Sequence, residues 1–295
     1  MISETHRVPG SVHGVRLSDY ARIAFPMIPS RKAAAKAIKR GELRIDGESA
    51  YSGDWVEAGQ TLEWIGLQQT APKSYRMPLE IIFEDHDLAV INKPPGIEVS
   101  GNKFKTVENA LAGNLSPSTK PDALLWPRPV HRLDYSTSGL LLIAKTANAQ
   151  VFLGRKFEDK CINKRYRAIV TGKPAPSGQV DEPINGMPAQ SDYAIIETVP
   201  SLRSEQLTLI DLYPLTGRTH QLRIHMASIG HPIVGDHKYG KEGNVLKGKG
   251  LFLAAVELCF PHPADQREIT IAIDPPLKFD SLMQREQTRW HKFNP

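Results

Sequence analysis

The sequence predicts an α+β fold: one large domain built on a mostly antiparallel mixed sheet, preceded by a small N-terminal α/β unit. Three observations carry this. Short apolar runs recur from residue 79 onward with turn residues between them and few helical stretches. Neither a G-x-G-x-x-G nor a Walker loop occurs, which argues against a doubly wound nucleotide-binding sheet and implies no nucleotide cofactor. The composition also shifts at L-Q-Q-T-A-P-K-S-Y-R-M-P, residues 67–78, which reads as a linker.

The domains follow from that shift. Residues 1–14 are polar with Pro and Gly and read as a flexible arm; residues 15–66 form a compact unit; residues 79–295 form the larger domain. In the small unit Leu17, Tyr20, Ala21, Ala24 and Phe25 keep a helical period. Pro29-Ser30 is a turn and N-cap signal, after which R-K-A-A-A-K-A-I-K-R runs to a stop at Gly41. L-R-I-D-G-E-S then alternates around Asp46-Gly47, a hairpin turn.

In the larger domain, residues 79–83 and 88–92 flank E-D-H-D as a hairpin. Further strands are expected over 140–145, 165–170, 192–197, 206–212, 251–260 and 268–273, with helices over 106–112, 147–159 and 219–229.

Charge and cysteine usage narrow the setting. The chain of 295 residues carries 37 basic and 32 acidic side chains, a formal charge of +5 that mildly favours a polyanionic partner. Cys161 and Cys259 sit among apolar or strand-like neighbours, so buried, reduced thiols are expected, as in the cytoplasm. The N-terminus lacks the apolar segment of a signal peptide, and the apolar run over 251–260 is too short to cross a membrane.

The stretch P-V-H-R-L-D-Y-S-T-S-G-L-L-L-I-A-K-T, residues 129–146, places Arg132 and Asp134 at the mouth of an apolar strand. Asp134 ahead of Ser136, Thr137 and Ser138 reads either as a turn cap or as a reactive carboxylate. Two partners suit the second reading. Tyr166 opens the apolar strand of N-K-R-Y-R-A-I-V. Arg223 borders the Leu222, Met226 and Ile229 stripe of a helix begun near Thr219. An inward arginine there needs a carboxylate, because a buried charge stripped of its partner costs about 3–5 kcal/mol.

These residues carry a resemblance. H-R-L-D-Y-S-T-S-G-L-L-L-I-A-K-T resembles the signature of the RluA-like family of pseudouridine synthases. L-A-V-I-N-K-P-P-G-I, K-R-Y and L-T-G-R-T-H-Q-L-R-I-H-M-A-S-I-G-H-P-I-V-G-D match the same family in order, over most of residues 79–275. The resemblance implies isomerisation of uridine to pseudouridine in structured ribosomal or transfer RNA, with no cofactor and no metal. It implies Asp134 as the catalytic aspartate, Tyr166 as the tyrosine that stacks on the base, and Arg223 as the arginine paired with the aspartate. Arg132 would enter the RNA stack as the uridine leaves. The chemistry agrees: a carboxylate can start the break of the N1–C1′ bond by attacking base or sugar or by removing a ribose proton, and a neighbouring cation favours its charged form.

Arg31, Lys32, Lys36, Lys39, Arg40 and Arg44 crowd into fourteen residues of the small unit, with Glu42 opposing them. The spacing places Lys32, Lys36 and Arg40 on one helix face. S-R-K-A-A-A-K-A-I-K-R-G-E-L-R-I-D-G resembles the RNA-binding domain first known from ribosomal small-subunit protein S-four, which implies phosphate contacts by these side chains.

Three rival readings stand beside this one. His220, His225, His231 and His237 lack metal-site spacing. His131, Asp134 and Ser136 or Ser138 evoke a hydrolase triad, but no G-x-S-x-G elbow supports it. A non-catalytic RNA-binding module would explain the basic helix but not three matching catalytic positions. A monomer is expected.

Overall fold

The computed structural model describes residues 2–25, 28, 30–65, 74–240 and 248–294. The chain divides into two compact units, Met1–Ala71 and Pro72–Pro295. Most of the stretch expected as a linker, including residues 67–73, lies outside the described residues, as does Pro29.

The first unit runs β1 (Ile2–Arg7), β2 (Val15–Arg16), α1 (Leu17–Ala24), α2 (Arg31–Lys39), β3 (Leu43–Ile45), β4 (Glu48–Ser49), β5 (Trp55–Val56) and β6 (Thr61–Ile65). Its sheet has the order β1-β6-β3-β4, and β2 pairs with β5. The two helices bury Leu17, Tyr20, Ala21, Ala24 and Phe25 against Ala34, Ala37 and Ile38. Ser30 caps α2 by accepting the amide of Ala33 at 3.2 Å. Asp46 and Gly47 both take positive φ, as a tight hairpin turn between β3 and β4 requires.

The expectation of a loose arm over residues 1–14 is corrected. Ile2–Arg7 is a strand, antiparallel to β6. Its polar sequence shows no apolar alternation; it is held instead by the backbone ladder and by the His6 ring, bonded to the Tyr20 hydroxyl at 3.1 Å.

The second unit runs β7 (Glu80–Glu84), β8 (Leu88–Lys93), α3 (Val107–Leu111), β9 (Ala123–Pro129), β10 (Ser138–Thr146), α4 (Ala147–Glu158), β11 (Asn163–Thr171), β12 (Ser177–Asp181), β13 (Gln190–Ser201), β14 (Glu205–Pro214), α5 (Gln221–Ser228), β15 (Leu253–Pro261), β16 (Glu268–Ala272) and α6 (Lys278–Phe293). The strands form one ten-stranded sheet whose main path is β12-β13-β14-β11-β15-β10-β8-β7, with β16 on β15 and β9 on β10. Every pairing between these named strands is antiparallel except β10 with β15.

That parallel contact explains a glycine. Gly139 has φ +110°, and a Cβ there would stand 2.1 Å from the carbonyl oxygen of Ala255. Only glycine lets the start of β10 lie this close to β15. Nine consecutive buried residues of β10 then fix the exit of the loop that precedes it.

Three elements of this second unit were not anticipated. β9 contains two prolines and, among the described residues, pairs only with β10, as suits an edge strand. β12 is short and polar and pairs with β13. α6 buries Phe279, Leu282, Met283 and Glu286 at helical spacing. The cysteine expectation is corrected as well: Cys161, just after α4, is exposed, and Cys259 is only partly buried. Both are free thiols. Among the described residues no helix is long and apolar enough to cross a membrane.

Candidate active site

A cleft of about 560 Å³ opens in the second unit where the loop before β10 meets β11 and the start of α5. The volume is in the range of pockets that enclose a small ligand. Asp134, Tyr166 and Arg223 all line it, together with Arg132, Thr137 and His220.

The loop H-R-L-D is held by alternate residues. The His131 imidazole accepts the Leu142 amide at 3.0 Å and packs on the Phe157 ring at 4.7 Å. Leu133 is buried beside Leu141 and Ile143. With those two side chains pinned, Arg132 stays exposed and Asp134 retains 17% exposure at the cleft. Burial, helped by Lys164, pushes the His131 imidazole down to about 3, so it is a neutral acceptor. Its lone pair is committed to β10, which removes it as the base of a hydrolase triad.

Tyr166 is positioned by its strand. Its neighbours Arg165 and Arg167 both reach Asp211 on β14, Arg167 through two bonds of 2.9 and 3.0 Å. Because side chains alternate along a strand, this fixes Tyr166 on the opposite face. A register shift against β15 between Arg165 and Tyr166 adjusts its aim. Burial, reinforced by the Asp134 charge, drives the phenol pKa well above its ordinary value, so the hydroxyl keeps its proton.

Arg223 serves two carboxylates. Its Nε and Nη2 donate to Asp236 at 2.7 and 2.9 Å, a bidentate pair, and its Nη1 lies 3.5 Å from Oδ2 of Asp134. Asp236 is fully buried. Burial alone would raise its pKa; Arg223 and the amides of Lys238 and Tyr239 outweigh that and hold the carboxyl below its usual range. Arg223 is opposed by burial yet raised by Asp236 and Asp134, so it stays charged. Gly235, with φ +81°, brings Asp236 into place: a Cβ there would sit 1.9 Å from the carbonyl oxygen of Gly250.

Two more groups complete the surroundings. Lys93, fully buried, donates to the carbonyls of Pro94 and Ile97 at 2.9 and 3.0 Å and to that of Tyr135 at 3.4 Å. It thereby ties the N-K-P-P-G turn to the Asp134 loop. Burial brings its ammonium down to about 8, against the pull of Asp134. His220 takes φ 59°, ψ 20° just before α5, two residues later than the expected helix start. Its Nε2 is 3.9 Å from Asp134.

Sequence reasoning missed Asp236, Lys93 and His220 as parts of the site. All three lie inside the stretches that carried the resemblance, and a lysine flanked by N and P-P-G or a G-D pair was signal enough to ask for partners.

The histidines weighed as metal ligands are dispersed. His225 bonds Ser191 and the Glu182 carbonyl, His231 the Thr171 carbonyl, and His237 is exposed. Asp85, Asp87 and His262 do converge, within 4.8 Å. Their groups are already engaged. Asp85 accepts the Asp87 and Leu88 amides and bonds His262 at 2.8 Å, and Asp87 pairs with Lys120 at 2.5 Å.

In the first unit Lys32, Lys36 and Lys39 are exposed on α2, opposite its buried face. Arg31 lies 3.4 Å from Asp19, and Arg40 forms a two-bond pair with Glu42. Arg44 is half-buried on β3.

A mostly antiparallel sheet thus brings a carboxylate, a buried arginine and a protonated tyrosine to one open cleft, the arrangement expected of a pseudouridine synthase, an RNA-modifying isomerase. The family described as RNA pseudouridylate synthase matches over residues 87–228. Ribosomal large subunit pseudouridine synthase D of Nitrosomonas europaea is 34% identical over 79% of this chain and 71% of its own length. The protein of that name in Pseudomonas aeruginosa is 35% identical over 81% and 78%. Among solved structures, human RNA Pseudouridylate Synthase Domain Containing 4 superposes with a TM-score of 0.57 at 22% identity, over 70% of this chain and 92% of that one. Human RNA Pseudouridylate Synthase Domain Containing 1 gives 0.54 at 24%, over 74% and 97%. The chain belongs to the RNA pseudouridylate synthase family, in its RluA-like branch, and is an isomerase acting on RNA.

Proposed function

We propose that the protein converts uridine to pseudouridine in large-subunit ribosomal RNA, with Asp134 as the carboxylate that opens the N1–C1′ bond. The observation that carries the assignment is the sharing of Arg223: bound at two points by Asp236, it stands beside Asp134 without covering it. A carboxylate so placed keeps a stabilising cation and an oxygen facing the cleft.

A uridine inside a helix is out of reach, so the target is flipped out at a cost of a few kcal/mol. Tyr166 stacks on the extruded base for about 1–3 kcal/mol. Arg132, exposed and next to Asp134, fills the space the base leaves. The first unit acts as an S-four-like RNA-binding domain. Lys32, Lys36 and Lys39 contact phosphates, with Arg31, Arg40 and Arg44 adding charge around them. The enzyme works as a monomer in the cytoplasm.

Two relatives at 34% and 35% identity carry ribosomal large subunit in their names, and this supports the choice of RNA. The test is direct. Large-subunit ribosomal RNA and transfer RNA from cells lacking the gene are incubated with the protein and mapped for pseudouridine. New pseudouridine is expected at discrete positions of the large-subunit RNA. Product confined to transfer RNA would overturn the substrate assignment.

A further inference from the structure

We propose that His220 is the base that removes the C5 proton in the last step of the isomerisation, with Tyr239 as the positioning residue that holds its ring. The inference rests on the assignment of Asp134 above and goes on to the step after it. Once C5 has joined C1′, that carbon carries both the sugar and a hydrogen, and N1 is doubly bonded to C6. The C5–H bond breaks and its proton passes to Nε2 of His220. The C–H electron pair forms the C5=C6 bond, and the C6=N1 π pair moves to N1, which takes a proton from solvent. The imidazolium returns its proton to solvent. No oxidant, reductant or water is consumed, and the product is an isomer of the substrate.

Geometry places the acceptor where the proton is shed. The new C5–C1′ bond forms beside Asp134, and His220 Nε2 is 3.9 Å from the Oδ2 of that residue, on the same cleft. The other ring nitrogen, Nδ1, is 3.0 Å from the Tyr239 hydroxyl. With Nδ1–H donating to that oxygen, the Nε2 lone pair is left bare toward the cleft. Tyr239 is itself fixed, with Arg223 and Lys238 each 5.2 Å from its ring centre.

His220 also holds a left-handed backbone, φ 59°, a region disfavoured for residues with a side chain and found clustered at functional sites. The charged groups facing the ring are Asp134 and Asp236, which favour its protonation, and Arg223 and Lys238, which oppose it. Burial and the two cations prevail and keep the imidazole neutral, ready to accept.

The neighbouring groups are poorer acceptors. Tyr166 is held protonated. Asp134 has its Oδ2 turned to the Arg223 guanidinium at 3.5 Å. His131 has given its lone pair to the Leu142 amide.

The experiment separates the steps. RNA carrying 5-fluorouridine at the target forms the C5–C1′ bond but cannot shed fluorine as a cation, so its consumption reports all chemistry before His220 acts. His220→Asn keeps a residue type that tolerates the left-handed backbone and removes the base. It is expected to consume the fluorinated RNA at the wild-type rate while making pseudouridine from ordinary RNA about 100-fold more slowly. Deuterium at C5 should then slow the variant further by about twofold or more, with free imidazole restoring turnover to His220→Gly. Pseudouridine formed within about threefold of the wild-type rate, or equal slowing on both RNAs, would overturn the proposal. Asp134→Asn stops both reactions; if that variant consumes the fluorinated RNA normally, the fault lies with the Asp134 assignment rather than with His220.

Discussion

On α2, Lys32, Lys36 and Lys39 stand in water with no partner of opposite charge among the described residues, whereas Arg223 on α5 is 8% exposed and gripped by two carboxylates. The same sign of charge sits in two opposite settings. A solvated lysine acts through its number and its salt-dependent attraction to phosphate. A buried guanidinium acts through geometry: it must be balanced where it sits, and that balance fixes what lies next to it. The contrast tells where a substitution should hurt. Changes in the second unit should damage stability or turnover, and changes on α2 should damage only the hold on RNA.

The sharpest way to break the contrast is to remove the grip on Arg223. Asp236→Asn keeps the shape and deletes the charge, leaving Arg223 to swing fully onto Asp134. Breaking such a buried pair is expected to destabilise the protein by about 3–5 kcal/mol in urea unfolding. At a temperature where the variant remains folded, single-turnover pseudouridine formation should fall by about 100-fold, because the reactive oxygen is covered. Full stability with full activity would mean that Asp236 is a bystander.

Next comes Lys93. Replacing it with Met strands three carbonyl acceptors in the N-K-P-P-G and Asp134 turns. A loss of about 3 kcal/mol is expected from the urea midpoint. A change below about 0.5 kcal/mol would show that the ammonium ties nothing down.

His131 sharpens the comparison through pH. Its folded pKa of about 3 lies below the ordinary 6.5, so between those values the unfolded chain binds a proton that the folded chain refuses. Stability from this group is therefore whole above pH 6.5 and declines as pH falls, by about 1.4 kcal/mol per pH unit between pH 6 and 4. His131→Gln, whose side-chain oxygen can still accept the Leu142 amide, should flatten that part of the stability-against-pH curve. An unchanged slope would place the acid sensitivity elsewhere.

The smallest effect belongs to α2. Ala at positions 32, 36 and 39 together should weaken RNA binding about tenfold near physiological salt. The plot of log affinity against log salt should become shallower by about 2. Turnover on bound RNA should not change. An unaltered salt slope would make the lysines mere solubilising charge.

How much of this could be read beforehand depended on how local the cause was. The helix spacing of Leu17 to Phe25, the Asp46-Gly47 turn and the Leu88–Lys93 strand announce themselves within a few residues. Strand β1 does not, because its support is a ladder to β6 and a ring on α1, both far along the chain. β9 was hidden by its prolines, which an edge strand tolerates. α6 is legible in the sequence, since Phe279, Leu282, Met283 and Glu286 repeat at helical spacing.

At the site, Asp134, Tyr166 and Arg223 were picked out by ordered motifs, and the fold brings them to one cleft. Asp236 was invisible as a partner because the need for it arises only once Arg223 is known to be buried. The expected pairing of Arg223 with Asp134 also proved incomplete: its closest bonds go to Asp236.

Asp134 is proposed to begin the reaction while Asp236 retains Arg223. The most direct measurement is a single-turnover assay of Asp134→Asn on large-subunit ribosomal RNA, with RNA affinity measured alongside. Wild-type binding is expected together with a loss of pseudouridine formation of about 1,000-fold or more. Product formed at a rate near that of the unaltered protein would assign the first step to another group.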